Sequence, residues 1–404
     1  MEEKLIEIYK DRKPYTIDNI ININENNFDI SYADGPKLEI IGNTSKEYNV
    51  EFWDGDVLLH QDIIKNNMWT APAIKYFVNW KVIVTDTSTN NIVFSDIFNI
   101  TTDKRIFMTF DSKSLGDTLA WIPHIEEFRK KYDCQVIVST FWNNLFVKSY
   151  PKLQFVERGD KVDNIYAMYM IGWFDLVNGG DKNRNPNDII SIPLAKAAPD
   201  ILGLEYQEIK PIIDVPEIKN DSLPSDKKYV CIAIQSTIQA KYWNCKGGWD
   251  KVISHLKSKG YDVVCIDKHS SYGGEGLFNE IPKGVIDRTG NAPIEYRITD
   301  LKNAEFFIGL GSGLAWLSWA IGTPTIMISS FSKPFCEVDE SKDFIRVYEE
   351  SPSSGFFNTH YLDPSDWNWN PIQKCSSFDD WDRFEPIREH KVIDAVDEMI
   401  GRLK

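Results

Sequence analysis

From about residue 28 to residue 100 the chain alternates apolar and polar positions in short runs: FDISYA, KLEIIG, YNVEFW, VLLHQDI, FVNWKVIVTD and NIVFSDIFNI, parted by Asn, Asp and Gly. Period-two alternation between turn residues predicts antiparallel strands, and WDGD between two of the runs signals a hairpin. Residues 1–103 therefore read as an all-β sandwich or barrel. No acid, base or ligand cluster converges in it, which suits an accessory or assembly unit.

The period changes at RIFMTF (105–110), a compact apolar strand followed by the loop DSKSLGD and the helical run TLAWIPHIEEFRKKY. CQVIVST, a helix-like FWNNLFVKSY, LQFVE and IYAMYMIGWF continue the alternation, and LAKAAPDILGL closes this half as a helix. DVPEIKNDSLPSDKK (214–228) interrupts the pattern and marks a boundary. Beyond it YVCIAIQS, WDKVISHLKSKG, YDVVCID, ITDLKNA, EFFIGLG, SGLAWLSWAIG and PTIMISS repeat strand and helix in turn. A last helix, His390 to Leu403, carries Val392, Ile393, Val396, Met399 and Ile400 on one face. Strands alternating with helices make parallel sheets, so the expected fold is α/β. Two Rossmann-like doubly wound domains, 104–214 and 215–404, face a cleft behind the all-β unit.

The 404 residues and 42% apolar content are enough for three packed domains. A net charge of -15 disfavours a phosphate backbone as partner, so nucleic acid is not expected. No run is long and apolar enough for a membrane span, and MEEKLIEIYKDRK lacks a secretion-signal core, which places the chain in the cytoplasm. The six cysteines form no CxxC pair, and His124, His255, His269, His360 and His390 show no HxxxH spacing. Neither pattern suits a metal site. Cys134, Cys231 and Cys265 sit in apolar runs and read as buried thiols.

Three loops hold the groups that chemistry would need. In SLGD (114–117), Gly116 permits a tight turn and Asp117 stands at the carboxyl end of a strand, where it can take the proton of an attacking hydroxyl. It is as well suited to be the helix N-cap, and Asp111 is a second acid in the same loop. In QSTIQAKYWN (235–244), Ser236 and Thr237 offer hydroxyls and Lys241 an ammonium beside Trp243. That set suits a diphosphate and the charge growing on it as a sugar leaves, in place of a divalent ion. A solvated lysine ahead of a helix is the plainer alternative. In GLGSGLAWLSWA (309–320), Gly311, Ser312, Gly313 and Leu314 open a helix whose backbone N–H groups face phosphate oxygens. Its spacing is neither the dinucleotide fingerprint nor a P-loop. Asp267, ending YDVVCID, is placed to bond a ribose hydroxyl or to cap the segment after that strand. The Trp- and Asp-dense segment HYLDPSDWNWNPIQKC suits either sugar stacking or domain docking.

SLGD with Asp117, KYW with Lys241 and Trp243, and SGL with Ser312, Gly313 and Leu314 together resemble the ADP-heptose glycosyltransferases. The lipopolysaccharide members of that family have an SxGD loop, a Lys-x-Trp element and a GL-containing helix start in the same order. The phrases SLGDTLAW, KYWN and GSGLAWLSWA, with the N-terminal β unit, are most similar to the autotransporter heptosyltransferases, over nearly the whole chain. The resemblance implies a GT-B fold, ADP-heptose as donor, and a protein Ser/Thr hydroxyl as acceptor. The expected mechanism takes Asp117 as base on the acceptor, with Lys241, Ser236 and Thr237 steadying the diphosphate and the 311–314 turn donating backbone N–H groups, and with Trp243 and Asp267 also expected on the donor. The chain departs from the pattern at two places. Gly311 stands where the lipopolysaccharide enzymes have an Asp associated with heptose binding, and SPSSGFF (351–357) stands where the autotransporter enzymes carry cysteines of an iron site. Only Cys336 and Cys375 remain there, and two thiolates do not close a metal site. The expectation is thus a metal-independent transferase with no structural metal and no cofactor beyond its donor, compatible with a homo-oligomer. The alternatives are transfer of another nucleotide sugar to a glycan or lipid-linked acceptor, an epimerase, and a non-catalytic nucleotide-sugar-binding or assembly protein.

Overall fold

The structure, a computed structural model, describes residues 26–173, 181–215, 218, 228–237, 241–243, 245–274, 277–350, 354–358 and 387–404. The first 25 residues, most of the 214–228 boundary, residues 351–353 of SPSSGFF and the Trp-dense segment with His360 and Cys375 lie outside the described residues.

The N-terminal part contains β1 (Asn27–Ser31), β2 (Lys37–Ile41), β3 (Glu47–Asp54), β4 (Val57–Lys65), β5 (Met68–Thr70), β6 (Trp80–Asp86) and β7 (Asn91–Ile97). They form two antiparallel sheets, ordered β1-β2-β5 and β4-β3-β6-β7. Along β3 and β6 buried and less buried residues alternate, placing Tyr48, Val50, Phe52, Val82 and Val84 in the interior. That is the period-two pattern of the sequence made physical. Phe98 stacked on Tyr166 at 5.2 Å, and Phe77 against Phe128 and Tyr132, seat this β part on the next unit. Gly203, at φ 63°, leaves room for that seam, since a Cβ there would meet the Phe77 ring at 2.3 Å.

The first parallel unit consists of β8 (Arg105–Phe110), α1 (Leu115–Tyr132), β9 (Gln135–Ser139), β10 (Gln154–Phe155), β11 (Ala167–Ile171) and α2 (Ala197–Leu202). Its strands are parallel in the order β10-β9-β8-β11. The order reverses at β8, so the loop after β8 lies at a switch point, where ligands of such sheets sit. The helix expected over FWNNLFVKSY does not form; only a short 3₁₀ turn, Asn143–Leu145, is present. Asn143 Oδ1 accepts from both the N–H and the hydroxyl of Thr140 at 2.9 Å, and its Nδ2 donates to the Val156 carbonyl at 2.8 Å. These local bonds compete with the helical ladder and win.

The second unit follows as β12 (Tyr229–Ala233), α3 (Gly248–Ser258), β13 (Asp262–Cys265), β14 (Ser271–Gly274), β15 (Leu277–Glu280), β16 (Ile286–Asp287), α4 (Ile294–Lys302), β17 (Phe306–Leu310), α5 (Gly313–Ala320), β18 (Thr325–Ile328), β19 (Phe344–Val347) and α6 (Glu389–Arg402). Six strands make one parallel sheet, β16-β13-β12-β17-β18-β19. Every residue of β12, β17 and β18 is buried, which is why those strands read as unbroken apolar runs. The switch point falls between β12 and β17. Helix α6 packs on α3 through Val392, Val396 and Met399, with Lys251 paired to Glu389 and His255 to Asp397 at its edge. The β14–β15 hairpin and β19 are additions that the sequence pattern does not announce. Among the described residues no helix is long and apolar enough to cross a membrane.

Candidate active site

The loops after β8, β12 and β17 meet at a cavity of about 320 Å³ between the two parallel-sheet units. One wall carries Asp111, Ser112, Ser114, Gly116 and Asp117; the other carries Lys241, the Gly311–Gly313 turn, Trp316, Ser332 and Glu337.

Ser114 settles the role of the helix start. Its backbone is extended and its hydroxyl accepts the Asp117 N–H at 3.4 Å, which makes Ser114 the N-cap of α1. Asp117 is therefore not the cap. It lies one turn in, and its Oδ2 accepts the Ser112 hydroxyl at 2.6 Å, while Ser112 Oγ accepts the Ser114 N–H at 3.1 Å. Burial pushes the Asp117 carboxyl above its ordinary value, against the pull of the Ser112 hydrogen bond and the Lys241 charge. Asp111 is also raised by burial, opposed by Arg158, whose guanidinium is 3.9 Å away, and by Lys113. A raised carboxylate in a cavity suits proton transfer near neutral pH.

Two glycines let the helix starts approach across the cavity. A Cβ on Gly116 would lie 3.1 Å from the Trp316 ring, and one on Gly313 would lie 3.1 Å from Leu115 Cβ. The start of α5 has Ser312 at its cap position with extended backbone and no side-chain capping bond, so no side chain of its own covers this N-terminus. Lys241 reaches the same cavity, its ammonium 5.5 Å from the centre of the Phe331 ring. Glu337, which no motif marks, completes the wall: its Oε2 accepts the Trp316 indole N–H at 3.0 Å and its Oε1 the Ser332 hydroxyl at 2.8 Å.

Other expected donor residues lie elsewhere. Trp243 is buried in the core of the second unit, its indole donating to the Ile387 carbonyl at 3.0 Å and its ring edge-on to Trp249 at 5.1 Å. It docks the segment leading into α6 and does not line the cavity, because the chain turns between Lys241 and Trp243. Asp267 is 2% exposed and accepts the backbone N–H groups of Ile234 at 2.7 Å and Gln235 at 3.2 Å. Its carboxylate ties the end of β12 to the end of β13. Ser236 and Thr237 follow β12 directly, outside the cavity wall, and Leu314 packs into the core beneath it.

Comparison with known proteins shows the family. Residues 193–334 match the model of glycosyltransferase family 9 (heptosyltransferase). The autotransporter heptosyltransferase BAHTCr of Citrobacter rodentium is 36% identical over 79% of this chain and 76% of its own length. The chain belongs to the autotransporter heptosyltransferases of glycosyltransferase family 9. It is a glycosyltransferase. The Escherichia coli heptosyltransferase TibC is 37% identical over 72% of this chain and 71% of its own length. Its crystal structure superposes with a TM-score of 0.83 over 94% of this chain and 97% of that one, at 30% identity. A second TibC structure, TM-score 0.82, is described as a complex with ADP-D-beta-D-heptose. The α/β architecture with parallel sheets and a β-rich N-terminal part is thus shared with a heptosyltransferase of the family.

The same comparison corrects the expectation of no metal and no cofactor, for TibC is described as an iron-containing, dodecameric glycosyltransferase. Among the described residues, no three His, Cys, Asp or Glu side chains gather as a metal site would require. Cys336 is buried on the cavity wall, accepts from Asn358 Nδ2 at 2.9 Å, and has its thiol pushed up to about 11 by burial. Cys375 lies outside the described residues. The described donors do not by themselves fit an iron centre.

Proposed function

We propose that this heptosyltransferase moves heptose from ADP-heptose to a serine or threonine hydroxyl of a protein. One observation carries the reading: the Asp117 carboxylate, the Lys241 ammonium and the uncapped start of α5 line a single cavity at the switch points of two parallel sheets. The ADP-heptose complex of TibC and the family of BAHTCr support the donor and the protein acceptor. On this reading the units 104–214 and 215–404 act as the acceptor and donor halves of a GT-B enzyme, with 1–103 as an accessory β domain. The dodecameric TibC supports a homo-oligomer, and the cytoplasm is part of the same proposed reading.

The step is a single displacement. The acceptor oxygen forms a bond to the anomeric carbon while Asp117 takes its proton; the bond from that carbon to the diphosphate oxygen breaks, and ADP leaves with the electron pair. Lys241 and the N-terminal dipole of α5 face the diphosphate and stabilise its growing charge, with Ser236 and Thr237 close to the same loop. Catalysis then rests on groups that interact more strongly with the leaving diphosphate than with the bound donor.

The test is incubation of the pure chain with ADP-heptose and a co-expressed autotransporter segment, read by mass spectrometry of the segment. A heptose increment on Ser or Thr is expected. Donor breakdown without an increment would move the acceptor to a glycan or lipid, and binding without turnover would leave a non-catalytic protein.

A further inference from the structure

We propose that Glu337 is a specificity residue that holds hydroxyls of the donor's sugar; this rests on the donor reading above. The carboxylate lies on the cavity wall against the Gly311 turn, where a Cβ on residue 311 would approach its Oε1 to 3.1 Å and Ser329 Oγ to 2.9 Å. Gly311 thus leaves the space that Glu337 fills from a different part of the chain. The group is held at both oxygens, by the Trp316 indole N–H at 3.0 Å and the Ser332 hydroxyl at 2.8 Å. Each carboxylate oxygen accepts two hydrogen bonds, so one acceptor site on each remains for a ligand.

Charge decides which part of the donor that ligand is. Glu337 is near enough to Asp117 to raise its carboxyl further, and its charge also acts on the buried Arg346 guanidinium, which donates to the Val338 carbonyl at 2.7 Å. Glu337 and Asp117, one on each wall of the cavity, both repel a diphosphate, whereas Lys241 and the α5 start attract one. The donor therefore lies with its phosphates on the Lys241 side and its sugar between Glu337 and Asp117. Neutral hydroxyls, which donate without adding negative charge, are the ligands that suit a carboxylate already held at both oxygens. This orientation also sets the anomeric carbon beside Asp117, where the acceptor hydroxyl must lose its proton.

The experiment is calorimetry with ADP and with ADP-heptose on the wild type and on Glu337→Gln, which keeps the shape and a hydrogen bond to Trp316. The variant is expected to bind ADP as the wild type does and to bind ADP-heptose roughly 10- to 100-fold more weakly, the cost of losing a hydrogen bond to a charged group. Equal weakening of both ligands would mean that Glu337 only supports the wall, and undiminished ADP-heptose binding would remove it from the site; either result overturns the proposal. If the wild type itself binds ADP-heptose no better than ADP, the donor reading falls and the role of Glu337 falls with it. If the wild type prefers ADP-heptose and Glu337→Gln keeps that preference, only the role of Glu337 falls.

Discussion

The Ser112 hydroxyl donates to Asp117 Oδ2 at 2.6 Å while Ser114, two residues further along, caps the helix on which Asp117 rides. Aim and anchoring are thus divided between two serines. Asp117 keeps oxygen lone pairs that serve the acceptor on the proposed reading, and the cap at the helix start is Ser114.

That division makes Asp117→Asn informative. Asparagine keeps the shape, and Ser114 still caps α1, so thermal stability should barely change. Transfer should fall roughly a hundredfold or more, with donor affinity retained. Near-normal transfer, or a collapse only in Asp111→Asn, would show that the other acid is the base.

The complementary change is Ser114→Ala, which removes the cap. A lost N-cap costs about 1 kcal/mol, to be read as a lower urea midpoint with an unchanged slope. An unmoved midpoint would mean that the Ser114 bond to the Asp117 N–H contributes nothing.

Lys241 and Asp117 are linked through charge, and the sign is testable by pH. Burial raises the Asp117 carboxyl and Lys241 lowers it, so the acid limb of kcat/KM should lie above the ordinary carboxylate range. Activity needs the deprotonated form and rises with pH through that limb. Lys241→Ala should move the limb to higher pH as well as weaken donor binding roughly tenfold or more. A limb that stays in place would mean that the two groups do not sense each other.

Asp267 offers a pH test of stability. Burial raises its carboxyl to about 6 in the folded chain, above an unfolded value of about 3.9. The folded state then holds this proton more tightly, so the contribution to stability is greatest below about pH 4, shrinks toward pH 6 and is level above. Asp267→Asn should flatten that window and leave donor affinity intact. Loss of donor affinity would return Asp267 to the ribose.

Much of this was legible because buried parallel strands advertise themselves. RIFMTF, YVCIAIQS and EFFIGLG each lead into a loop that reaches the cavity, and local residue types named Asp117, Lys241 and Gly311. The hidden part depends on where side chains point after the chain turns. Trp243 is two residues from Lys241 yet belongs to the core, and Asp267 is buried where it accepts two backbone N–H groups. Glu337 has no motif around it, and only the fold brings it opposite Gly311. The helix expected at FWNNLFVKSY failed for a local reason, since Asn143 has better partners than a helical turn offers.

Gly116 beneath Trp316 and Gly313 beside Leu115 have a consequence for reach. With alanine at both positions the same acid, cation and turn would follow in the same order along the chain, but the two walls would have to separate by a few tenths of an ångström. A displacement tolerates little such slack, because its reacting atoms must start about 3 to 3.5 Å apart and in line. The gauge of the gap that a sugar must bridge is therefore set by two absent methyl groups.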